Sequence, residues 1–230
     1  MSLASSLASV HGGRRPRKDD VSGRERLLDA AILVFAEHGI AGTTISQIAK
    51  AGKVTSAMVH YWFDTREKLY DAVAIERIVP LIDAIWAPVD FERDSALGMV
   101  EGLMRRMFTT TVSSPWLPSL WSREVIQMGG LLRERVLDRV PVERSLAFRQ
   151  KIAEAQTRGE INPGIEADVL FTSMVSLAML PQASDSIWCQ QHFNGRVLSF
   201  EQIENHTVAL LMAGLTGPAT RTIQPEGGRR

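Results

Sequence analysis

Apolar residues recur along most of this chain at spacings of three and four, the pattern of helices with one buried face. In residues 22–38 the apolar positions that share such a face are Leu28, Ala31, Ile32 and Phe35. Gly39 follows them, and a glycine at this place supplies the left-handed residue that commonly ends a helix. The pattern therefore predicts a first helix that ends at about His38.

Two shorter helices are predicted next. Thr44 begins the first of them, and Gln47 stands three residues later, as in a capping box. Residues 52 and 53 form a turn, and Thr55 caps the following helix. Together the three helices are expected to bury an apolar support made of Leu28, Ile32, Phe35, Ile45, Ile48, Val54, Val59 and Phe63.

A longer helix is predicted from Glu67 to about Trp86, with Asp64 and Glu67 as its capping box and a kink at Pro80. The rest of the chain also has helical periodicity, interrupted by glycine and proline. Further helices are expected at about 93–112, 117–128, 130–139, 142–158, 166–181, 185–194 and 199–215. The alternating pattern typical of strands is missing, so the predicted fold class is all-α.

Helical periodicity and composition together divide the chain into four predicted parts. Residues 1–21 form a disordered basic arm, 22–68 a three-helix helix-turn-helix domain, 69–215 a larger helical bundle, and 216–230 a flexible tail. The basic side chains of the arm are Arg14, Arg15, Arg17 and Lys18. They belong either to a solvated tail or to an arm that touches the phosphates or minor groove of DNA.

The formal net charge is zero, but the charge is unevenly distributed. Residues 1–70 hold ten basic and seven acidic side chains, a net charge of +3, and the remainder carries −3. That sign is typical of an N-terminal part that binds nucleic acid. Cys189 is the only cysteine, so no intrachain disulfide forms, which fits the cytoplasm. Neither a secretory signal nor a membrane span is expected.

Residues 43–63 have the features of a unit that places a helix in the major groove of DNA. A helix about 10–12 Å across fits a groove about 12 Å wide. The leading end of the third helix combines small residues with the positive end of the helix dipole, which favours a phosphate or a base edge. The residues predicted to contact DNA are Thr43, Thr44, Thr55, Ser56, Ala57, His60, Tyr61, Arg66 and Lys68.

Residues 26–73 read RLLDAAILVFAEHGIAGTTISQIAKAGKVTSAMVHYWFDTREKLYDAV. The recognisable positions in this run are Leu27, Leu28, Ala30, Ala31, Phe35, Ala36, Gly39, Thr43, Thr44, Ile48, Ala49, Val54, Thr55, Tyr61, Trp62, Phe63, Thr65, Arg66, Glu67 and Leu69. On these positions the chain resembles the DNA-binding domain of TetR-type transcriptional regulators. Two positions depart from the family pattern. Lys53 replaces the usual turn glycine, which predicts a turn shifted to Gly52, and His60 replaces a common tyrosine, which leaves base specificity open.

The resemblance implies an all-α homodimer with a DNA-binding domain at 22–68 and a ligand-binding and dimerisation bundle at 69–215. In such proteins the last two long helices, here about 166–181 and 199–215, pair with their two-fold mates. The first of these helices is apolar nearly all round, which independently requires burial on more than one side. Self-association satisfies that requirement, and so does a central position in a monomer core.

The resemblance also implies a cavity for a small apolar or amphipathic ligand. The candidate lining residues are Trp86, Met104, Met107, Phe108, Trp116, Trp121 and Met128. Methionine and tryptophan at helical spacing are equally ordinary core residues, so both interpretations stay open.

The predicted function is a repressor that binds a palindromic operator as a dimer and is released when a ligand makes the helix at 67–86 swing. A helical module that binds proteins or small molecules without DNA is the alternative. An enzyme is disfavoured, because the chain has neither a phosphate-binding glycine loop nor a hydrolase or metalloprotease motif. Cys189 and His192 have a metal-compatible spacing but lack further ligands, so no metal or cofactor is expected.

Overall fold

A computed structural model describes residues 18–183 and 198–217. Within these two ranges every regular element is a helix, so the all-α prediction is confirmed. The N-terminal elements are α1 (Lys18–His38), α2 (Ile45–Ala51), α3 (Ser56–Phe63), α4 (Arg66–Val73), the first π turn (Ala74–Ile78) and α5 (Val79–Trp86).

The remaining elements form a helical bundle that packs on the N-terminal part. They are α6 (Ala96–Ser113), α7 (Leu117–Trp121), the second π turn (Ser122–Ile126), α8 (Arg133–Leu137), α9 (Val142–Thr157), α10 (Ala167–Ala183) and α11 (Phe200–Thr216). The helix predicted at 185–194 lies outside the described residues, as do almost all of the predicted arm and tail.

The predicted helix starts and stops of the N-terminal part are largely confirmed. The Thr44 hydroxyl accepts a hydrogen bond from Gln47 N at 3.3 Å, and Thr44 N donates to Gln47 Oε1 at 2.7 Å, which completes the capping box of α2. Thr55 caps α3 by accepting from Met58 N at 3.3 Å. Gly39 has a φ of 72° and ends α1.

The predicted cap of the fourth helix is wrong. Thr65, rather than Asp64, caps α4, because the Thr65 hydroxyl accepts a hydrogen bond from Lys68 N at 3.2 Å. Asp64 closes α3 instead: its backbone N–H donates to His60 O at 2.8 Å, and its φ is 58°. Asp64 and Glu67 have the spacing of a capping box, but the true N-cap of α4 is one residue later, at Thr65.

The long helix predicted at 67–86 is not uniform. The first π turn separates α4 from α5, and Pro80 lies in the first turn of α5, where a missing N–H is tolerated best. The irregularity predicted at Pro80 thus takes the form of a wide turn directly before it. Such turns inside helices are often functional.

Two apolar cores hold the helices together. The first core joins α1–α4 and the first π turn to residues of α7, the second π turn and α8. The second core joins α5, α6, α9, α10 and α11, and its aromatic centre places the ring centroids of Trp86 and Phe171 5.1 Å apart. Because Leu120 and Val125 belong to the first core, the bundle packs directly against the N-terminal helices. None of the helices within 18–183 and 198–217 is long and apolar enough to cross a membrane.

Candidate nucleic-acid interface and internal cavity

Helix α3 is anchored to the first core by one face and presents the opposite face to solvent. Val59 and Phe63 are buried, and the Arg24 guanidinium lies 5.0 Å from the centre of the Phe63 ring. The outward residues are Ser56, Ala57, His60 and Tyr61, all exposed. Tyr61 is 75% exposed although it is a large aromatic side chain, so its ring is free to contact a partner.

The turn between α2 and α3 does not shift to Gly52 as predicted. Lys53 itself takes the left-handed conformation, with a φ of 55°, while Gly52 is right-handed. Gly52 serves close packing instead, because a Cβ there would lie 2.8 Å from Leu27 Cδ1 on α1. The hydrogen bond from Val54 N to Ala49 O, at 2.9 Å, closes the turn before α3.

The polar residues predicted at the starts of α2 and α3 separate into two groups. Thr44 and Thr55 are exposed at the N-terminal ends of α2 and α3. Thr43 is only 1% exposed, and its hydroxyl donates to Gly39 O at 2.7 Å. The Thr43 side chain therefore faces the protein and does not reach the surface on which the sequence placed it.

The two predicted cations after α3 both have partners within the protein. Arg66 donates from Nη2 to Thr43 O at 2.7 Å, which ties α4 to the loop before α2. Lys68 pairs with the Asp64 carboxylate at 2.8 Å, and this hydrogen bond and charge lower the pKa of Asp64. Arg66 thus holds the helix-turn-helix in shape, in addition to any contact it makes with DNA.

Two lysines that were not among the predicted DNA contacts lie at the turn between α2 and α3. Lys50 is in the last turn of α2 and Lys53 follows it, and both are exposed. No carboxylate of the residues that the structure describes pairs with either lysine. The run AKAGKV could have indicated them, because it places two cations around a surface turn.

A cavity of about 510 Å³ opens between the first π turn, α5, α7, the second π turn, α8 and α10. This volume falls in the range of sites for small organic molecules. Trp86, Met107 and Trp121 line it, as the sequence suggested. Lining residues that the sequence reasoning missed include Ile78, Val125, Arg133, Leu137, Phe171 and Met179.

Four of the predicted lining residues lie elsewhere. Met104 and Phe108 are buried in the second core and do not line the cavity. Trp116 borders a separate depression with Asp29 and Arg77. Met128 is 87% exposed, next to Gly129, so it does not belong to the cavity wall. Periodicity identified these residues as apolar but could not assign each one to a particular cavity.

Buried and half-buried polar contacts connect the cavity wall to the N-terminal helices. Glu124, in the second π turn, is buried and accepts hydrogen bonds from Ile40 N at 2.8 Å and Leu131 N at 3.1 Å. In the first π turn, Glu76 accepts two hydrogen bonds of 2.6 Å from Arg24 of α1. Both π turns also carry residues of the cavity wall, so each turn contacts the N-terminal helices and lines the cavity.

Metal binding finds no support in the part of the chain that the structure describes, where no three His, Cys, Asp or Glu side chains cluster suitably. Cys189 and His192 lie outside that part.

Trp121 Nε1 is buried and lacks a hydrogen-bond partner among the described residues.

A protein-family model described as "Bacterial regulatory proteins, tetR family" matches residues 27–73. The HTH-type transcriptional repressor SCO4008 of Streptomyces coelicolor is 26% identical over 164 residues, which cover 70% of this chain and 79% of that protein. The repressor KstR2 of Rhodococcus jostii is 39% identical over 62 residues, 25% of this chain and less than a third (30%) of that relative.

The fold also matches solved structures. The ketosteroid transcriptional regulator KstR2 of Mycobacterium tuberculosis superposes with a TM-score of 0.66, covering 84% of this chain and 95% of that one, at 18% identity. At this identity the likeness concerns the fold alone.

Proposed function

This chain belongs to the TetR family of bacterial regulatory proteins, and on that premise we propose that it is a transcriptional repressor released from DNA by a small ligand. The observation that carries the proposal is the exposed face of α3, which holds Tyr61 and His60 outward on a helix anchored in the first core. Ser56 and Ala57 at its leading end allow close approach to the DNA backbone. The relatives named as repressors support repression over activation.

The proposed repressor binds as a homodimer. Helices α10 and α11 carry large apolar side chains that a single chain leaves exposed, among them Val169 and Leu210. A two-fold axis through these helices would cover both residues and present two copies of α3 to one palindromic operator. Half-sites one helical turn apart, about 34 Å, would then each receive one α3.

The proposed ligand is apolar or amphipathic and enters the cavity between α5, α7, α8 and α10. Its binding favours a bundle shape in which α4, the first π turn and α5 move, so that the two copies of α3 no longer match the operator. A ligand that prefers the released shape by a few kcal/mol changes the bound population substantially. The proposal assigns the protein no catalysis, and it places the protein in the cytoplasm with the DNA that it regulates.

Footprinting on the DNA upstream of its own gene, followed by affinity measurement on the protected site, tests the proposal. We expect protection of a short palindrome and binding that weakens steeply with added salt. The double change His60→Ala and Tyr61→Ala should abolish specific binding while the oligomeric state stays unchanged. Val142→Ala, at an exposed apolar residue of α9, is the matched control and should bind normally.

Unchanged affinity of the double variant for the protected site would exclude α3 as the reading helix. A wild-type protein that binds no genomic fragment would instead favour the alternative, a helical module that binds other proteins or small molecules without DNA.

A further inference from the structure

The cavity wall contains a single charged side chain among its described residues. The wall is otherwise built from aliphatic and aromatic side chains, with the hydroxyl-bearing Ser145 and Thr172 as additional polar groups. The charged residue is Arg133, at the start of α8, and its side chain is half-buried. An arginine facing an apolar cavity is costly unless something compensates its charge.

The hydrogen bonds of Arg133 use only the Nη1 group of its guanidinium. Its Nη1 donates to Ile126 O at 2.8 Å and to Val125 O at 3.3 Å, at the end of the second π turn. Nε and Nη2 have no acceptor within residues 18–183 and 198–217, and no carboxylate there pairs with this arginine. The Nε–Nη2 edge carries two parallel N–H groups, which match the two oxygens of a carboxylate.

The cavity has an outer and an inner end. Ile126, whose carbonyl accepts a hydrogen bond from Arg133, and Leu137, one helical turn further along α8, are exposed and mark the mouth. Trp86 and Met107 are buried and mark the interior. A ligand with an anionic group at one end and an apolar body would therefore match the wall along its whole length.

We propose that the cavity binds an apolar molecule carrying one carboxylate or similar anionic group, and that Arg133 binds this group at the mouth. The inference rests on the ligand-release function proposed above and gives the ligand its chemical class. A neutral molecule of the same length would fill the apolar interior but leave the Arg133 charge unpaired. An amine of that length would be repelled by it.

Titration calorimetry on the full-length protein without DNA tests the proposal. The probes are decanoic acid, 1-decanol and decylamine at neutral pH and below their aggregation concentrations. We expect decanoate to bind at least about tenfold tighter than decanol, and decylamine to bind more weakly than decanol. Equal affinity for decanoate and decanol would overturn the proposal without any variant.

The variant Arg133→Gln removes the charge and keeps a hydrogen-bond donor. It should lower decanoate affinity about tenfold and leave decanol affinity within about twofold. The matched control is Arg139→Gln, because Arg139 is exposed shortly after α8 and its side chain makes no ion pair in the described structure. The control should leave both affinities unchanged. A preference for decanoate that survives Arg133→Gln would contradict the assignment.

Measuring the ligand without DNA separates this inference from the proposed function. If decanoate binds through Arg133 but does not release the protein from DNA, the anionic site is supported and decanoate is excluded as the releasing ligand. If a different ligand releases the protein from DNA while decanoate and decanol bind with equal affinity, the proposed function is supported and the anionic site is excluded.

Discussion

The Glu124 carboxylate is buried between the second π turn and the loop that follows α1. Its two oxygens each accept one backbone N–H, from Ile40 and from Leu131. An amide in its place keeps one accepting oxygen and turns an NH₂ group towards the other N–H. We therefore expect Glu124→Gln to lower the free energy of unfolding by about 1–3 kcal/mol, the cost of a buried unpaired donor.

Urea unfolding followed by circular dichroism measures this effect. Glu134→Gln is the matched control, because Glu134 lies on α8 near Glu124 in sequence but is exposed. Equal unfolding midpoints for the two variants would mean that the Glu124 contacts contribute little to holding Ile40.

Lys50 and Lys53 show a second effect that belongs to single side chains. Both are exposed beside the turn before α3 and have no acidic partner among the described residues, so phosphates would be their natural partners. We expect Lys50→Gln and Lys53→Gln to weaken binding about equally on specific and random DNA. Each should reduce the slope of log affinity against log salt by about 1.

Fluorescence anisotropy across a salt series measures that slope. Lys151→Gln is a suitable control, since Lys151 lies on α9 and donates to Phe91 O at 2.7 Å within the bundle. A slope that stays at the wild-type value in both turn variants would place these lysines away from the phosphates.

At the scale of elements, the first π turn is held to α1 by paired charges. The hydrogen bonds from Arg24 lower the pKa of Glu76, and Arg77 pairs with Glu25 and Asp29 at 2.6 and 2.8 Å. A carboxylate whose pKa is lowered by folding adds stability above its unfolded pKa of about 4.3. That stability is lost as the pH falls through the lower, folded-state pKa.

We expect Glu76→Gln to destabilise the protein by about 1 kcal/mol at pH 7, a value reduced for the partial exposure of both side chains. The difference from wild type should shrink as the pH falls from about 4 through the lower pKa of the folded Glu76, where the wild-type carboxyl becomes neutral as well. Urea unfolding at several pH values measures it, with the exposed Glu92→Gln as control. A difference independent of pH would show that charge is not its source.

The elements differ in how far the sequence predicts them. Helix α2 and its Thr44 cap follow from local chemistry, since the bonding residues are three apart. The π turns do not, because neither has a side-chain cap that could mark it in the sequence. The exposed face of α3 was predictable from its buried positions. The Arg66 contact was not, since it joins α4 to Thr43, a residue far away in the chain. The inward direction of Thr43 was not either, because its bond to Gly39 O depends on the irregular loop between α1 and α2.

At the scale of the whole molecule, the exposed apolar residues of α10 and α11 are the basis of the proposed dimer. Leu210 is 55% exposed on α11, and a glutamate there would place a charge in the proposed two-fold interface. We expect Leu210→Glu to sediment as a monomer in analytical ultracentrifugation, while the wild type sediments as a dimer. Val142→Glu, at a residue 66% exposed on α9, should remain dimeric.

The same variants connect assembly to DNA recognition. In a dimer, binding of one α3 raises the effective concentration of the second α3 at the other half-site, and a monomer lacks this gain. Leu210→Glu should therefore bind the palindrome at least about a hundredfold more weakly than the wild type. Its affinity for a single half-site should equal that of the wild type, because α3 and its support in the first core are unchanged. A monomeric Leu210→Glu with full affinity for the palindrome would mean that one chain reads the operator alone. A Leu210→Glu protein that remains dimeric would place the two-fold axis on a different face.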